Sequence, residues 1–435
     1  MDQVSRLLEN YFPTSDEEFA AGNLPVSKLA DCYGTPLFIY DQSILQKKWD
    51  LLRVALPPEF SICYSVKANP AQAVLRFFLA QGAGLEIASA GEFEQALRAG
   101  CPPGNILFAG PGKTNFELER VLQAAIGEIH MESLGELERI AAIARRLGVR
   151  APVALRVNPC AEAEGGAMRM GGRPAPFGID EELLDEALDR ALAHGELEFR
   201  GIHLFTGTQI LDAKILLGQY RKGFELARRV AVRLNRPLHT VDFGGGLGIP
   251  YFSHEQALDM ETLRHGMAAL MPDILRDPLF VGTKFLVEPG RYLAGEAGIY
   301  VTRVTDVKTS RGKKFVITDG GMNHHLAASG NLGQTIKRNY PVAVLNKLRA
   351  TQVENVDVVG PLCTPLDVLA REIALPPIEA GDLIGVFQSG AYGRSASPLG
   401  FLSHPAPPEV WVRDGEHTLI RQRGESGDYL NDQCH

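Results

Sequence analysis

The stretch "SICYSVKANPAQ", residues 61–72, decides the fold. A run of β-formers leads to Lys67, and Asn69 and Pro70 then end it. An open, doubly wound sheet would carry G-x-G-x-x-G in the turn after its first strand. "VKANPAQ" has no such glycines. The other architecture open to a chain that alternates strand and helix is a closed barrel of parallel strands. Its chemistry sits at the C-terminal strand ends. Lys67 is then either an ordinary strand terminus whose ammonium reaches water, or a reactive amine at a barrel mouth.

Seven more β-rich runs follow: "AGLEIAS" from 83, "NILFAG" from 105, "EIHMES" from 128, "PVALRVN" from 152, "GIHLFT" from 201, "HTVDFGGG" from 239 and "KFLVEPG" from 284. Helix-period stretches lie between most of them. "AQAVLRFFLAQGAG", "GEFEQALRAG", "FELERVLQAAIG" and "LGELERIAAIARRLG" place apolar residues three and four apart, and each stops at a glycine. Eight such units predict an α/β chain built on a (β/α)8 barrel over residues 36–300, near the roughly 250 residues typical of that fold. After residue 300 the helical period fades. "IYVTRVTDVKTS", "KKFVITDGG", "VENVDVVGP", "DLIGVFQSG" and "EVWVRDG" predict a second, mostly β domain over 301–435. Residues 1–35 precede the first barrel element and are expected to pack with the β domain.

Composition narrows the function. The net charge is −8 with no basic block, which speaks against a nucleic-acid surface. "MDQVSRLLENYF" carries acids and no apolar core, so no signal peptide is expected. No stretch approaches the ~20 apolar residues of a membrane span. The six cysteines form neither a C-x-x-C pair nor a dense framework, which suits a reducing cytoplasm. The eleven histidines lack ligand spacing. In "NHH" (323–325) neighbouring side chains on a strand would face opposite ways, so no metal is expected.

Read in order, the strand ends offer Lys67, Glu86 with Ser89, Gly110, Glu132, Arg156 with Asn158, Phe205 with Thr208, Gly244 to Gly246, and Glu288 with Arg291. "DFGGGLGIPY" (242–251) is either a backbone nest for a phosphate or a flexible turn. "EPGRYL" (288–293) holds a carboxylate and a guanidinium on a rigid turn. A lysine, a carboxylate, a ring and a phosphate nest together meet the needs of pyridoxal 5'-phosphate (PLP).

With these motifs in view, the chain resembles the barrel-type PLP-dependent decarboxylases, the family of ornithine and diaminopimelate decarboxylases. The likeness rests on "YSVKANP", "EIASAGE", "GTQI", "DFGGGLGIPY", "EPGR", "GPLC" and "SGAYG" and spans nearly the whole chain. It implies Lys67 as the Schiff-base lysine and Glu288 as partner of the pyridine nitrogen. Glu86, Arg156, Phe205, Thr208, Gly245, Gly246, Gly290, Arg291 and Tyr392 would hold or line the cofactor. Cys363 would return a proton to the substrate carbon after carbon dioxide leaves. The family's sites form between two subunits, so the resemblance implies a homodimer in which Cys363 serves the other subunit. Arg291, Thr364, Asp367 and Tyr392 would meet the substrate.

Two departures bear on substrate. Familiar relatives carry a histidine where "HLFTGTQ" has Phe205, which can stack on a pyridine or simply fill core; His203, two residues earlier, points the same way. Relatives acting on diamino acids place an acid after the cysteine, where "CTPLD" has Thr364. An unpaired distal ammonium in a buried pocket costs roughly 1–3 kcal/mol or more. Lysine, ornithine and diaminopimelate are therefore disfavoured, unless Asp367 turns inward to grip the ammonium. "MRMGGRPAPFGID", "TGTQ", "GPLCTP" and "SGAYGRSASPLGFLSHPAPPEV" are similar to the subgroup of glutamyl–carrier-protein and exosortase-associated decarboxylases. The expected activity is decarboxylation of an amino acid or an aminoacyl unit on a carrier protein. The alternatives are a free amino acid such as diaminopimelate or ornithine, a racemase on the same fold, and a non-catalytic regulator. Glu288 and Cys363 favour decarboxylation over racemisation.

Overall fold

The computed structural model describes residues 2–160, 168–169, 174–332, 334 and 336–434. Residues 170–173 of the "MRMGGRP" run lie outside them. The chain divides into a barrel unit, Trp49–Ile249 with Ala257–Tyr292, and a β unit, Met1–Lys48 with Pro250–Gln256 and Leu293–His435.

The barrel unit holds eight parallel strands: β1 (Phe60–Ser65), β2 (Gly84–Ile87), β3 (Ile106–Phe108), β4 (Glu128–Met131), β5 (Ala151–Asn158), β6 (Leu197–Leu204), β7 (Thr240–Asp242) and β8 (Lys284–Val287). Each pairs with the next in sequence. β8 returns to β1 through Phe285↔Phe60, Leu286↔Ser61 and Val287↔Ile62, which closes the sheet. All eight coincide with the β-rich runs of the sequence. Lys67 itself lies two residues beyond the strand, on a 3-10 turn, Val66–Ala68.

The helices start where the sequence offers caps. Ser89 accepts from the Glu92 N–H, Thr114 forms a capping box with Glu117, and Ser133 accepts from the Glu136 N–H. Gly100 and Gly148 end their helices in the left-handed conformation. Helices Gln72–Ala80 and Asn115–Gln123 stop earlier than the glycine rule suggested, at Gln81 and Ala124. Apolar packing on the outside of the sheet is aromatic: Tyr220 and Phe224 from helix Ala213–Leu234 meet Phe60, Phe243 and Phe285 at ring separations of 4.8–6.2 Å.

The β unit is built on the long strand Gly298–Ser310. It pairs antiparallel with Lys313–Thr318, Leu383–Val386 and Leu37–Asp41. Leu37–Asp41 also pairs in parallel with Glu409–Arg413. The hairpins Arg311–Gly312 and Asp414–Gly415 turn with positive φ at both central residues, which suits the twist of the flanking strands. Residues 36–48 and 293–300, expected in the barrel, therefore belong to the β unit, because the strand after Pro36 pairs with strands some 260 and 370 residues later.

"NHH" lies in a turn rather than a strand, and both histidines are buried. His325 Nε2 meets Ser389 Oγ at 2.8 Å. Burial drives the His325 imidazole down to about 3; burial and then His404 drive His324 down to about 4. An unfolded imidazole takes up its proton near pH 6.5, while these two stay neutral. Their contribution is intact above pH 6.5 and is lost as pH falls towards 4 and then 3, by up to ~1.4 kcal/mol per pH unit per histidine. Urea midpoints measured from pH 7 to pH 5.5 should fall, and His325→Gln should flatten the slope even if it lowers stability throughout.

Candidate active site at the barrel mouth

Lys67 Nζ lies 2.9 Å from both oxygens of Glu86. Ser65, opposite Glu86 in the β1–β2 register, donates its hydroxyl to the same carboxylate. Glu86 is fully buried and the lysine side chain 42% exposed. The amine thus stands at the open end of the barrel, held from below by a buried acid.

β4 and β5 supply a second pair. Arg156 Nη1 donates to Glu132 at 2.7 Å, and both side chains are buried. Glu132 also accepts the Gly110 and Gly178 N–H groups at 2.7 and 2.8 Å. Burial works to raise its carboxyl, but Arg156, Lys113 and these hydrogen bonds outweigh that and hold it below the usual range. The Arg156 guanidinium lies 5.1 Å from the Phe177 ring and 5.7 Å from the Phe205 ring. Phe205 is half-buried, and its side chain lies against Gly244.

After β7 the chain turns through Gly244, Gly245 and Gly246. Gly244 and Gly246 have φ of +64° and +97°, and the Gly244 N–H donates to Asp242 Oδ1 at 2.8 Å. A Cβ at Gly245 would stand 2.5 Å from the Glu288 carbonyl. One at Gly246 would stand 3.0 Å from the carbonyl of Gly207, next to half-buried Thr208. Gly290 touches the lysine turn, since a Cβ there would meet that of Ala68 at 2.8 Å. Arg291 opens the short helix Arg291–Ala294.

Glu288 caps a closed polar cluster. His203 Nε2 lies 3.3 Å from Glu288 Oε2, and His130 Nδ1 lies 3.8 Å from Glu288 Oε1. The two imidazoles stack with centroids 4.2 Å apart. With Asp242, one ligand-type atom from each of the four lies within 4.8 Å of the others. Burial, then His130 and Arg156, push the His203 imidazole well below its ordinary value. Burial, then the Glu288 carboxylate, hold the Asp242 carboxyl well above its own. His130 went unread in the sequence. Its one signal was a histidine inside "EIHMES", an otherwise strand-like run.

The remaining sequence-derived residues lie in the β unit. Cys363 is exposed and Thr364 half-buried in the loop between strands Glu354–Val359 and Val368–Leu375. Tyr392 holds a left-handed φ of +54°, costly for a non-glycine. Asp367 does turn inward, but not towards a free space. It is 2% exposed, and its oxygens accept the Met322 and Leu362 N–H groups at 2.6 and 2.9 Å. The carboxylate ties its own loop and is closed off from open space in this chain, which counts against a grip on a substrate ammonium.

A family model described as "Pyridoxal-dependent decarboxylase, pyridoxal binding domain" matches residues 42–295. The L-glutamyl-[BtrI acyl-carrier protein] decarboxylase of Niallia circulans is 38% identical, over 94% of this chain and 96% of its own length. The diaminopimelate decarboxylase of Aquifex aeolicus is 33% identical over 98% of both chains. The diaminopimelate decarboxylase structure from M. jannaschii in complex with L-lysine superposes with a TM-score of 0.88 at 26% identity, over 97% of this chain and 96% of that one. The chain belongs to the pyridoxal-dependent decarboxylases. It is a carboxy-lyase that works with PLP. This decarboxylase has residues that fit that group. An amine stands at the mouth, Glu288 Oε1 is buried without a hydrogen-bond partner, and the Gly244–Gly246 turn leaves backbone bare where a side chain has no room. Among the described residues no helix is long and apolar enough to cross a membrane.

Arg156→Met should leave Glu132 charged and buried without its cation, at a cost of about 3 kcal/mol. Adding Glu132→Gln should recover part of that loss in urea titrations. Equal stability of the Arg156→Met variant and the parent would refute the pairing.

Proposed function

We propose that this decarboxylase removes the α-carboxylate of an amino acid whose side-chain carboxyl is tied to a carrier protein, a glutamyl unit fitting best. The observation that carries this reading is that, among the described residues, the position after Cys363 holds Thr364 and not an acid. Thr364 occupies the slot, and both oxygens of Asp367 are committed to backbone N–H groups. A side chain ending in a thioester or amide brings no distal charge to be matched. The similarity to a glutamyl–carrier-protein decarboxylase supports the same substrate class. Diaminopimelate stays as the second reading, because several relatives near 33% identity act on it by name.

In this scheme Lys67 attaches the cofactor and Glu86 holds the amine in place. Glu288 would pair with the pyridine nitrogen, and Phe205, with Arg156 beside it, would offer a ring to stack on. Thr208, Gly245, Gly246, Gly290 and Arg291 would cradle the phosphate end, and the family resemblance adds Tyr392. Bound PLP supplies an electron sink for the charge left on Cα when carbon dioxide departs. The Cys363 thiol then delivers a proton to that carbon. We further propose a homodimer, in which Cys363 acts at the partner subunit's Lys67, as the family resemblance implies. A cytoplasmic site of action accords with six free cysteines.

Carbon dioxide release should occur with glutamate loaded on a carrier protein. It should not occur with free glutamate, lysine, ornithine, arginine or diaminopimelate. Turnover of a free diamino acid would overturn the substrate reading while leaving the chemistry intact. Lys67→Ala should lose both the visible absorbance of bound cofactor and all activity. Cys363→Ala should keep the cofactor and lower the yield of the normal product, and an unchanged yield would remove the thiol from the scheme.

A further inference from the structure

The interior of a (β/α)8 barrel is ordinarily filled by branched apolar side chains. Here a polar column runs through it. Glu128 and His130 stand two residues apart on β4, so both point inward, and they are 1% and 0% exposed. Glu128 accepts the Thr240 hydroxyl at 2.6 Å and faces His130 Nε2 at 3.2 Å. It also lines a cavity of about 190 Å³ with Arg200 and His239. On the other side of the ring, His130 Nδ1 faces Glu288 Oε1 at 3.8 Å, and neither atom has a hydrogen-bond partner.

An unprotonated imidazole nitrogen and a carboxylate oxygen are both acceptors. Facing each other in a dry core they repel, whereas a proton on the nitrogen makes the contact attractive. His130 Nε2 already points at Glu128, so its proton is engaged there. A second proton, on Nδ1, would make the ring a cation between two carboxylates. Of the other two members, burial and the charges of His130 and Arg156 push His203 towards its neutral form, and burial and Glu288 push Asp242 towards its protonated form, in which it too can donate to Glu288. One imidazolium between Glu128 and Glu288 leaves the column one positive charge short. A protonated pyridine nitrogen brings that charge.

We propose that His130, anchored by Glu128, is a positioning residue for Glu288: it holds the proton between the two carboxylates and keeps Glu288 charged towards the cofactor. This rests on the reading of Glu288 as the pyridine partner. The test uses holoenzyme loaded with PLP labelled with nitrogen-15 at the pyridine, read by NMR, alongside the dissociation constant for PLP. The parent should show a protonated pyridine nitrogen. His130→Asn should move the resonance towards the unprotonated position and weaken PLP binding about tenfold or more. Glu128→Gln, which keeps shape and loses charge, should shift it the same way and carries the test if His130→Asn fails to fold. Parental resonance and affinity in Glu128→Gln and in a folded His130→Asn would overturn the proposal. Glu288→Gln separates the two readings. If the nitrogen stays protonated there, Glu288 is not its partner and the inference falls with it. If only Glu288→Gln shifts the resonance, the inference alone fails. A stoichiometric metal ion in the purified parent that His130→Asn loses would also overturn it.

Discussion

The pairing of β8 with β1 is the contact on which the mouth of the barrel depends. It joins strands more than 200 residues apart and turns a row of parallel strands into a ring. The ring then sets Glu288, just past the end of β8, beside the turn that bears Lys67. Pro289 accepts the Ser65 N–H at 3.3 Å, and Gly290 has no room for a Cβ against Ala68. An open sheet with the same strands would leave these two segments at opposite edges. Neither local sequence nor charge attraction would bring them together.

Closure also creates the electrostatic problem that the rest of the barrel answers. Buried acids at strand ends are costly unless each finds a partner. Glu86 takes the lysine and a serine hydroxyl, and Glu132 takes an arginine and two backbone donors. Glu136 takes Lys113, which is equally buried and whose amine is pushed down by burial against the pull of that acid. Glu288 and Asp242 differ, since each has one oxygen without a hydrogen-bond partner. Acids left with unused capacity in a core of compensated ones are the feature expected where a ligand is to be met.

Strand positions were legible because parallel barrel strands are short runs of β-formers separated by capped helices, and both signals are local. The placement of Lys67, Glu86, Arg156 and Glu288 in or just past the barrel strands was legible for the same reason, since a charged residue late in an apolar run stands out. What the sequence hid is non-local. Leu37–Asp41 falls within the span assigned to the barrel until its partners, Gly298–Ser310 and Glu409–Arg413, are known. Asp367 reads as an acid near a catalytic cysteine. Only the fold shows Met322 and Leu362 consuming its oxygens. His130 is hidden in another way: a histidine in a strand run carries no sign of which face it takes or what lies across the barrel.

The proposed substrate also changes where selectivity must arise. A pocket built around a counter-charge rejects analogues that lack the charge by large factors, because its own buried acid is then left unpaired. A pocket that offers Thr364 instead rejects a distal ammonium but discriminates weakly among neutral side chains, where one methylene is worth about 1–3 kcal/mol. Preference for one tethered acyl unit over another neutral one therefore cannot come from that slot alone. On the proposed substrate it would have to be supplied by the carrier protein, through contacts on the enzyme surface that a free amino acid never makes. Such an enzyme would distinguish its substrate by what the amino acid is attached to more than by the amino acid itself.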